Sequence, residues 1–265
     1  MKILCLHGAG QNGKIFQSDL ASLLSKLQHS SVGLTFDFTD GPLQVSNSSA
    51  GELPHSELPQ YKFYDTGEVR DIRKAREWLA EKLERDGPYD GIVAFSQSAA
   101  LVSSFLLYRQ WYDHELPPPF KFAIFISGNI PLKVLRDLGV PVSIEAERVV
   151  AEAELQRDLG HGPSLAHMTK ARRAVFNSDD CFGLNLNRMP LELKIRIPTV
   201  HVWGEKDPLF PMSTQLAGLC DPYIRKIHVH PGTHEVPQNS KELTELATLL
   251  EWCIQRATWP GQKQL

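Results

Sequence analysis

The sequence has little that would suggest a membrane-spanning, disulfide-rich or metal-binding protein. No apolar run approaches the ~18 residues that a transmembrane helix needs. Only four of the 265 residues are cysteine, and they are scattered without the close spacing of a metal site. The sequence therefore predicts reduced thiols in a cytoplasmic protein with no metal centre and no membrane association. The cysteines are Cys5, Cys181, Cys220 and Cys253.

The charges are mixed in sign rather than segregated. The net charge is −3, from 28 basic and 31 acidic side chains, and no stripe of lysine or arginine stands out. This balance predicts no nucleic-acid partner. Residues 1–8 are too short an apolar segment for a signal peptide, and we interpret residues 2–6 as a buried strand.

Apolar runs of strand length alternate with segments of helical periodicity along most of the chain. This alternation predicts an α/β fold with a mostly parallel sheet that helices cover on both faces. With 42% hydrophobic residues, the chain is expected to form one domain over residues 1–265. The predicted strands are 2–6, 32–38, 91–95, 122–126, 199–203 and 227–229, and the predicted helices are 14–28, 67–85, 97–112, 211–219 and 240–256.

Residues 129–196 interrupt this alternation. They contain two helix-favouring stretches, 145–159 and 165–176. We interpret the segment as a helical cap inserted over the edge of the sheet where the strands end. The alternative is a peripheral insertion with no role in function.

Ser96 has the setting of a nucleophile elbow. An apolar strand, 91–95, leads directly into the serine, and an alanine-rich helix follows it. Such a turn lifts the hydroxyl out of the sheet and directs the N–H groups of the helix at any negative charge that develops there. The outer positions of the Gly-x-Ser-x-Gly pattern are Ala94 and Ser98, which are the next smallest residues. This departure leaves open a non-catalytic binding protein of hydrolase-like fold.

A serine nucleophile needs a base, and the base needs an orienting carboxylate. His234 follows the last predicted strand and Asp207 follows the strand before it, so all three residues lie at strand ends. The chain order Ser96, Asp207, His234 is that of the α/β-hydrolase fold. The competing histidine is His230, the competing acids are Glu205 and Asp221, and His201 and His228 are interpreted as packing residues.

The oxyanion of an acyl-transfer reaction needs two N–H donors. We predict that the amide of Gln97, the residue after the nucleophile, is one of them. The other is expected from the turn after the first strand, with Ala9 as the first choice and Gly10 as the second. His7 is expected either to hold this turn in place or simply to be buried.

The same turn also fits a dinucleotide-binding pattern. Gly8, Gly10 and Gly13 have the Gly-x-Gly-x-x-Gly spacing, and Asp37 follows where a ribose-binding acid would lie. An NAD(P)-dependent oxidoreductase is therefore an alternative. It leaves the settings of Ser96 and His234 unexplained.

Taken together, these motifs resemble the family serine hydrolases, which are small α/β-hydrolases. The resemblance covers nearly the whole chain except about 140–195, and it implies roles for Ser96, Asp207 and His234 as nucleophile, acid and base, with no cofactor. Fungal members include esterases that release or edit polyketide chains held as thioesters on an acyl carrier protein. The resemblance thus implies hydrolysis of an acyl ester or thioester. The motifs are residues 6–12, 40–42, 95–100, 127–128, 201–204 with Asp207, and 232–234 with Pro237.

Residues 39–66 are rich in turn-forming residues and are predicted to be a long loop, with Thr66 capping the next helix. Aromatic side chains in this loop and after the predicted acid could line an acyl-binding surface. Equally, such residues can fix a long loop to the body of the protein. The candidates are Tyr61, Phe63, Tyr64 and Phe210.

Overall fold

The computed structural model describes residues 1–27, 33–45, 58–174 and 179–258. Gln28, residue 32, residues 46–57 of the long loop and residues 175–176 of a predicted helix lie outside these ranges. Among the described residues, no helix has both the length and the apolar character required to cross a bilayer.

The centre of the molecule is a six-stranded sheet whose paired strands all run parallel. The strands are β1 (Lys2–Leu6), β2 (Thr35–Thr39), β5 (Gly91–Phe95), β6 (Phe122–Ile126), β7 (Thr199–Gly204) and β8 (Arg225–His230). Their order in the sheet is β2-β1-β5-β6-β7-β8. Each of the six predicted strands is therefore confirmed, with small shifts at some of the ends.

Helices cover both faces of the sheet, as the alternation predicts. The helices are α1 (Gly13–Leu27), α2 (Val69–Asp86), α3 (Gln97–Tyr112), α4 (Leu132–Asp137), α5 (Ile144–Asp158), α6 (Leu165–Ala174), α7 (Phe210–Gly218) and α8 (Ser240–Thr258). Successive strand residues point to opposite faces, so Ile3 and Cys5 of β1 pack with α1 and α8, whereas Leu4 and Leu6 pack with α2 and α3. Two apolar cores result, one in each layer.

Parallel strands place all of their carboxyl ends at one edge of the sheet, which is where α/β folds carry their sites. Ser96, Asp207 and His234 follow β5, β7 and β8, so the topology brings these distant segments to a common edge.

The segment between β6 and β7 contains α4, α5, α6 and two short 3₁₀ helices, Leu186–Arg188 and Leu191–Leu193. It packs against α7. Val149 of α5 belongs to an apolar cluster with Phe182 and Phe210, and Ala153 contacts the cluster formed by Leu209 and Met212. The segment is thus attached to the part of the chain that directly follows Asp207.

The long loop differs from its prediction at two points. It contains a short antiparallel pair, β3 (Leu43–Gln44) and β4 (Tyr61–Lys62). Thr66 is not the N-cap of α2, because that position is Glu68, which makes no side-chain capping bond. The hydroxyl of Thr66 instead donates to the carboxylate of Asp71 at 2.6 Å.

All four cysteines are free and buried. Burial raises the pKa of the Cys181 and Cys220 thiols to about 12, and it also raises the pKa values of Cys5 and Cys253. These thiols therefore pack as small apolar groups and stay protonated near neutral pH.

Candidate active site

Ser96 lies on a sharp turn between β5 and α3. Its backbone has φ 54° and ψ −114°, a conformation that non-glycine residues rarely adopt and that marks functional turns. The amide of Ser96 donates to the carbonyl oxygen of Ile126 in the neighbouring strand at 2.9 Å. This bond holds the strained residue at the end of the sheet.

The residues that replace glycine around Ser96 are accommodated by the packing. Ala94 and Ser98 are both completely buried. The hydroxyl of Ser98 donates to the carbonyl of Leu6 at 2.7 Å and accepts from the amide of Phe95 at 3.0 Å. The Ser98 side chain is therefore hydrogen-bonded to the backbone of the turn.

His234 connects Ser96 with Asp207. The His234 Nε2 atom is 2.8 Å from the Ser96 hydroxyl, and its Nδ1 atom is 2.8 Å from Asp207 Oδ2. Because a carboxylate only accepts, Nδ1 carries the proton and Nε2 is free to accept from the serine. The three side chains that the sequence analysis selects thus form one continuous line of hydrogen bonds.

Asp207 is completely buried, and His234 is partly open, with 27% of its side chain exposed. The second carboxylate oxygen of Asp207 accepts from the amide of Leu209 at 2.8 Å. The ring of Phe95 lies 5.5 Å from that of His234. The carboxylate is therefore fixed away from water, while the imidazole borders the open side.

The competing residues lie in other surroundings. His230 is buried, its Nδ1 accepts from the amide of Gly232 at 3.2 Å, and burial lowers its pKa. Asp221 accepts from the amide of Tyr223 at 2.9 Å, and Glu205 is exposed.

Backbone contacts join the loop that carries Asp207 to the loop that carries His234. The amide of Glu205 donates to the carbonyl of His230 at 2.8 Å, and that of Lys206 donates to Gly232 at 3.0 Å. A Cβ atom on Gly204 would lie 2.2 Å from the carbonyl oxygen of Thr233. Only glycine permits this approach of the two loops.

The turn after β1 lies against the elbow. A Cβ atom on Gly8 would be 3.3 Å from that of Ser96. The amide of Gly8 donates to Gln11 Oε1 at 3.2 Å, and the amide of Gly10 donates to the carbonyl of Tyr61 at 2.9 Å. This bond corrects the assignment of Gly10, because its N–H is already used. The amide of Ala9 has no partner within the described chain, so it remains the predicted donor.

His7 holds this turn, which is the first of the two roles expected of it. It is buried, its Nε2 accepts from the amide of Gly41 at 2.9 Å, and its Nδ1 donates to the carbonyl of Gly8 at 2.6 Å. Burial lowers the pKa of His7. Gly41 is required here, because a Cβ atom would lie 2.6 Å from the carbonyl oxygen of Lys62.

The Gln97 side chain has a role that the sequence does not reveal. Its Oε1 accepts from the amide of Phe63 at 2.8 Å, and its Nε2 donates to the carbonyl of Tyr64 at 3.0 Å. The end of the long loop is thereby tied to the residue next to Ser96. The backbone N–H of Gln97 lies in the first turn of α3, where amides have no partner within the helix.

Comparison with known proteins identifies the family of this chain. A model of the family described as Serine hydrolase (FSH1) matches residues 1–246. The chain belongs to this serine hydrolase family. Esterase FPY3 of Fusarium mangiferae is 26% identical to this serine hydrolase over 97% of this chain and 98% of the relative. Esterase alnB of Emericella nidulans is 27% identical over 97% of each chain.

Solved structures show the same fold. The crystal structure of esterase PE8 superposes with a TM-score of 0.51 at 18% identity, covering 95% of this chain and 92% of the other. The serine hydrolase therefore has the α/β-hydrolase fold that the order of its motifs predicts.

The predicted substrate-binding residues have different surroundings. Phe63 and Phe210 are 1% and 3% exposed, and Tyr64 is also buried. Phe63 packs against Trp78 with ring centroids 5.5 Å apart. This burial favours the alternative interpretation, in which these three residues fix loops to the body. Tyr61 is partly exposed and stays a candidate.

The structure does not favour the dinucleotide alternative. The amide of Gly13 donates to the side chain of Asp40 at 2.7 Å, and those of Gly8 and Gly10 are engaged as described above. Asp37 is paired with Lys82 at 3.3 Å. The amides and the acid that would bind the cofactor therefore serve the hydrolase fold itself.

His228, Glu242 and Glu245 bring three possible metal ligands within 4.8 Å of one another. The His228 ring nitrogens face different carboxylates, Nε2 lying 2.7 Å from Glu242 and Nδ1 lying 3.4 Å from Glu245. These contacts join β8 to α8.

A groove of about 560 Å³ opens beside His234. One wall is formed by the loops that carry Asp207 and His234, and the other by the α5–α6 region of the 129–196 segment. Its lining consists of Arg157, Gly160, His161, Gly162, Pro163, Met168, Glu205, Lys206, Pro208, Thr233 and His234. The sequence gives no signal for this groove, because it depends on how the inserted segment packs.

Proposed function

We propose that this serine hydrolase cleaves an acyl ester or thioester, with Ser96 as the nucleophile, His234 as the general base and acid, and Asp207 as the orienting carboxylate. The observation that carries the proposal is the pair of 2.8 Å contacts that His234 makes with Ser96 and Asp207. Such a line of hydrogen bonds activates a hydroxyl that is otherwise a poor nucleophile.

Each residue has a defined step. His234 Nε2 takes the Ser96 proton as the hydroxyl oxygen attacks the acyl carbon. Asp207 fixes the tautomer and stabilises the imidazolium that forms. His234 then gives the proton to the leaving thiol or alcohol, and water later hydrolyses the acyl-enzyme by the same route.

The negative charge on the acyl oxygen would be stabilised by the amides of Gln97 and Ala9. The first lies at the start of α3, where the helix dipole favours negative charge. The second belongs to the 8–10 turn, and among the described residues it donates to no other group.

We further propose that residues 129–196 cover one side of this site as a helical cap, supported by their share in the groove beside His234. The names of the relatives, esterases FPY3 and alnB, support an ester-type substrate for this chain. A more specific candidate substrate is an acyl thioester on a carrier protein, supported by the resemblance of the motifs to fungal polyketide esterases.

Activity-based labelling tests the proposal. A fluorophosphonate should modify Ser96, as located by peptide mass spectrometry, and Ser96→Ala should abolish both labelling and turnover of p-nitrophenyl esters. Ser98→Ala, which alters the other serine of the elbow, should still be labelled. A wild-type protein that binds acyl ligands but is neither labelled nor active would instead support a non-catalytic binding protein.

Comparing substrates refines the class. The same acyl group should be offered as an oxygen ester, as an N-acetylcysteamine thioester and on an acyl carrier protein. A much higher kcat/KM for the carrier-bound form would support the carrier-protein partner, and equal values would restrict the proposal to small-molecule substrates.

A further inference from the structure

Of the three aligned side chains, only that of His234 lines the groove. Its lining includes His234 and the neighbouring Thr233 and Pro208. Within the described residues, the lining includes neither Ser96 nor any residue of the 8–10 turn. The groove thus borders the base and not the predicted oxyanion donors.

The chemistry assigns a side to each half of the substrate. The acyl oxygen must point at the oxyanion donors. The leaving atom must lie within hydrogen-bond reach of the general acid, which is His234 Nε2. The remainder of the leaving group therefore extends into the space next to His234.

We infer that this groove holds the leaving group of the substrate, and that Lys206 favours leaving groups that carry a negative charge. The inference rests on the proposed function of Ser96 and His234. During acylation, the bond between Ser96 Oγ and the acyl carbon forms and the bond from that carbon to the leaving sulfur or oxygen breaks. The serine proton passes through His234 to the leaving atom, and the thiol or alcohol departs through the groove.

The composition of the walls supports this assignment. Met168, Pro163 and Pro208 provide apolar surface for a stem, and Met168 is 48% exposed. The rim carries Lys206, Arg157 and His161 against one carboxylate, that of Glu205. Arg157 is paired with Asp158 at 2.8 Å, whereas no carboxylate of the described chain lies within ion-pair distance of Lys206.

Lys206 can be tested with a matched pair of thioesters. Butanoyl-N-acetylcysteine and butanoyl-N-acetylcysteamine share the acyl group and the thiol stem, and only the first has a carboxylate. The ratio of their kcat/KM values isolates the contribution of that charge. We expect Lys206→Gln to lower the anionic-to-neutral ratio about threefold and Lys206→Glu to lower it about tenfold.

Lys26→Glu is the control variant, because Lys26 is exposed in the last turn of α1 and the change in net charge is the same. Its ratio should equal that of the wild type. A second variant, Met168→Trp, should lower kcat/KM for the N-acetylcysteamine thioester more than for the methyl thioester of the same acid.

The rate of deacylation shows whether the groove holds the leaving group or the acyl chain of the substrate. Once the leaving group has departed, hydrolysis of butanoyl-Ser96 does not depend on it, so both Lys206→Glu and Met168→Trp should deacylate at the wild-type rate in single-turnover mass spectrometry. An unchanged thioester ratio in Lys206→Glu, or slowed deacylation with altered acyl-length preference in Met168→Trp, would overturn the inference. Absence of any butanoyl-Ser96 in the wild type would instead refute the proposed function.

Discussion

The Ser98 hydroxyl lies 2.7 Å from the carbonyl oxygen of Leu6, the last residue of β1. The turn that carries the predicted oxyanion donor Ala9 begins immediately after Leu6. Ser98 also accepts from the amide of Phe95, one residue before the nucleophile. A side chain that stands where related elbows have glycine thus joins the two halves of the site.

We expect Ser98→Gly to reduce stability even though it restores the glycine of the usual pattern. It removes the acceptor of a buried amide and places glycine in a helix, which together cost about 1–3 kcal/mol. Urea denaturation measures this change. Ser98→Ala is the control that loses the hydrogen bond but keeps helix propensity, and it should fall between the two proteins. A more stable Ser98→Gly protein would refute this role.

Gln97→Ala should impair both stability and activity. The Phe63 amide that Gln97 binds is buried, and an unpaired buried amide costs about 1–3 kcal/mol. The same segment holds Gly10 through Tyr61, so its displacement should lower kcat about tenfold or more.

Gln110 offers a matched control for Gln97. It lies in the same helix, and its side chain donates to the carbonyl of Lys194 at 2.5 Å, at the end of α3 remote from Ser96. Gln110→Ala should lower the free energy of unfolding without lowering kcat. Equal losses of activity in the two variants would show that Gln97 acts only on global stability.

Asp207→Asn should lower kcat by about four powers of ten, because an asparagine amide stabilises the wrong tautomer of His234. The KM value should change little, since the carboxylate does not contact substrate. Steady-state hydrolysis of p-nitrophenyl butanoate measures both. Asp221→Asn changes a competing acid that does not line the groove and should retain wild-type activity; a large loss would reassign the acid.

His201 should make the protein less stable at acid pH. Burial lowers the pKa of His201 to about 3, whereas an unfolded histidine titrates near 6.5. As pH falls below about 6.5 the unfolded chain binds a proton that the folded chain does not, so stability is lost progressively down to about pH 3, at up to about 1.4 kcal/mol per pH unit.

The variant His201→Gln removes this titration. Its free energy of unfolding, measured in urea between about pH 5.5 and 4.5, should fall less steeply than that of the wild type, by about 1.4 kcal/mol per pH unit. His114→Gln changes an exposed histidine in the loop after α3 and should leave the slope unchanged. Parallel curves for the wild type and His201→Gln would contradict the prediction.

The sequence predicts the middle of the central sheet well because β1, β5, β6 and β7 are buried on both faces. Uninterrupted apolar runs such as Gly91–Phe95 and Phe122–Ile126 have clear ends, and both are predicted with the bounds they have in the structure. The pair β3 and β4 is missed because a strand of two residues has no periodicity. The N-cap of α2 is predicted wrongly because the Thr66 hydroxyl binds the amide of Glu68, which precedes the helix, and the carboxylate of Asp71, but no backbone amide inside the helix.

The site is predictable as far as it depends on strand ends. Ser96, Asp207 and His234 each follow a strand, and a parallel sheet gathers such positions at one edge. The use of the Gly10 amide by Tyr61 and the bonds of the Gln97 side chain depend on where the long loop folds back. Contacts between residues so far apart in sequence leave no local pattern.

The close approach of the loops at Gly204 affects which residues of this enzyme can vary with its substrate. Because the loops of Asp207 and His234 meet through their main chains, the spacing between the acid and the base is independent of the outward-facing side chains of those loops. Positions such as Lys206 and Thr233 can therefore be exchanged to suit a new substrate without disturbing the distance on which proton transfer depends. Within these short loops, the side chains can vary to change selectivity while the main-chain contacts preserve the reaction.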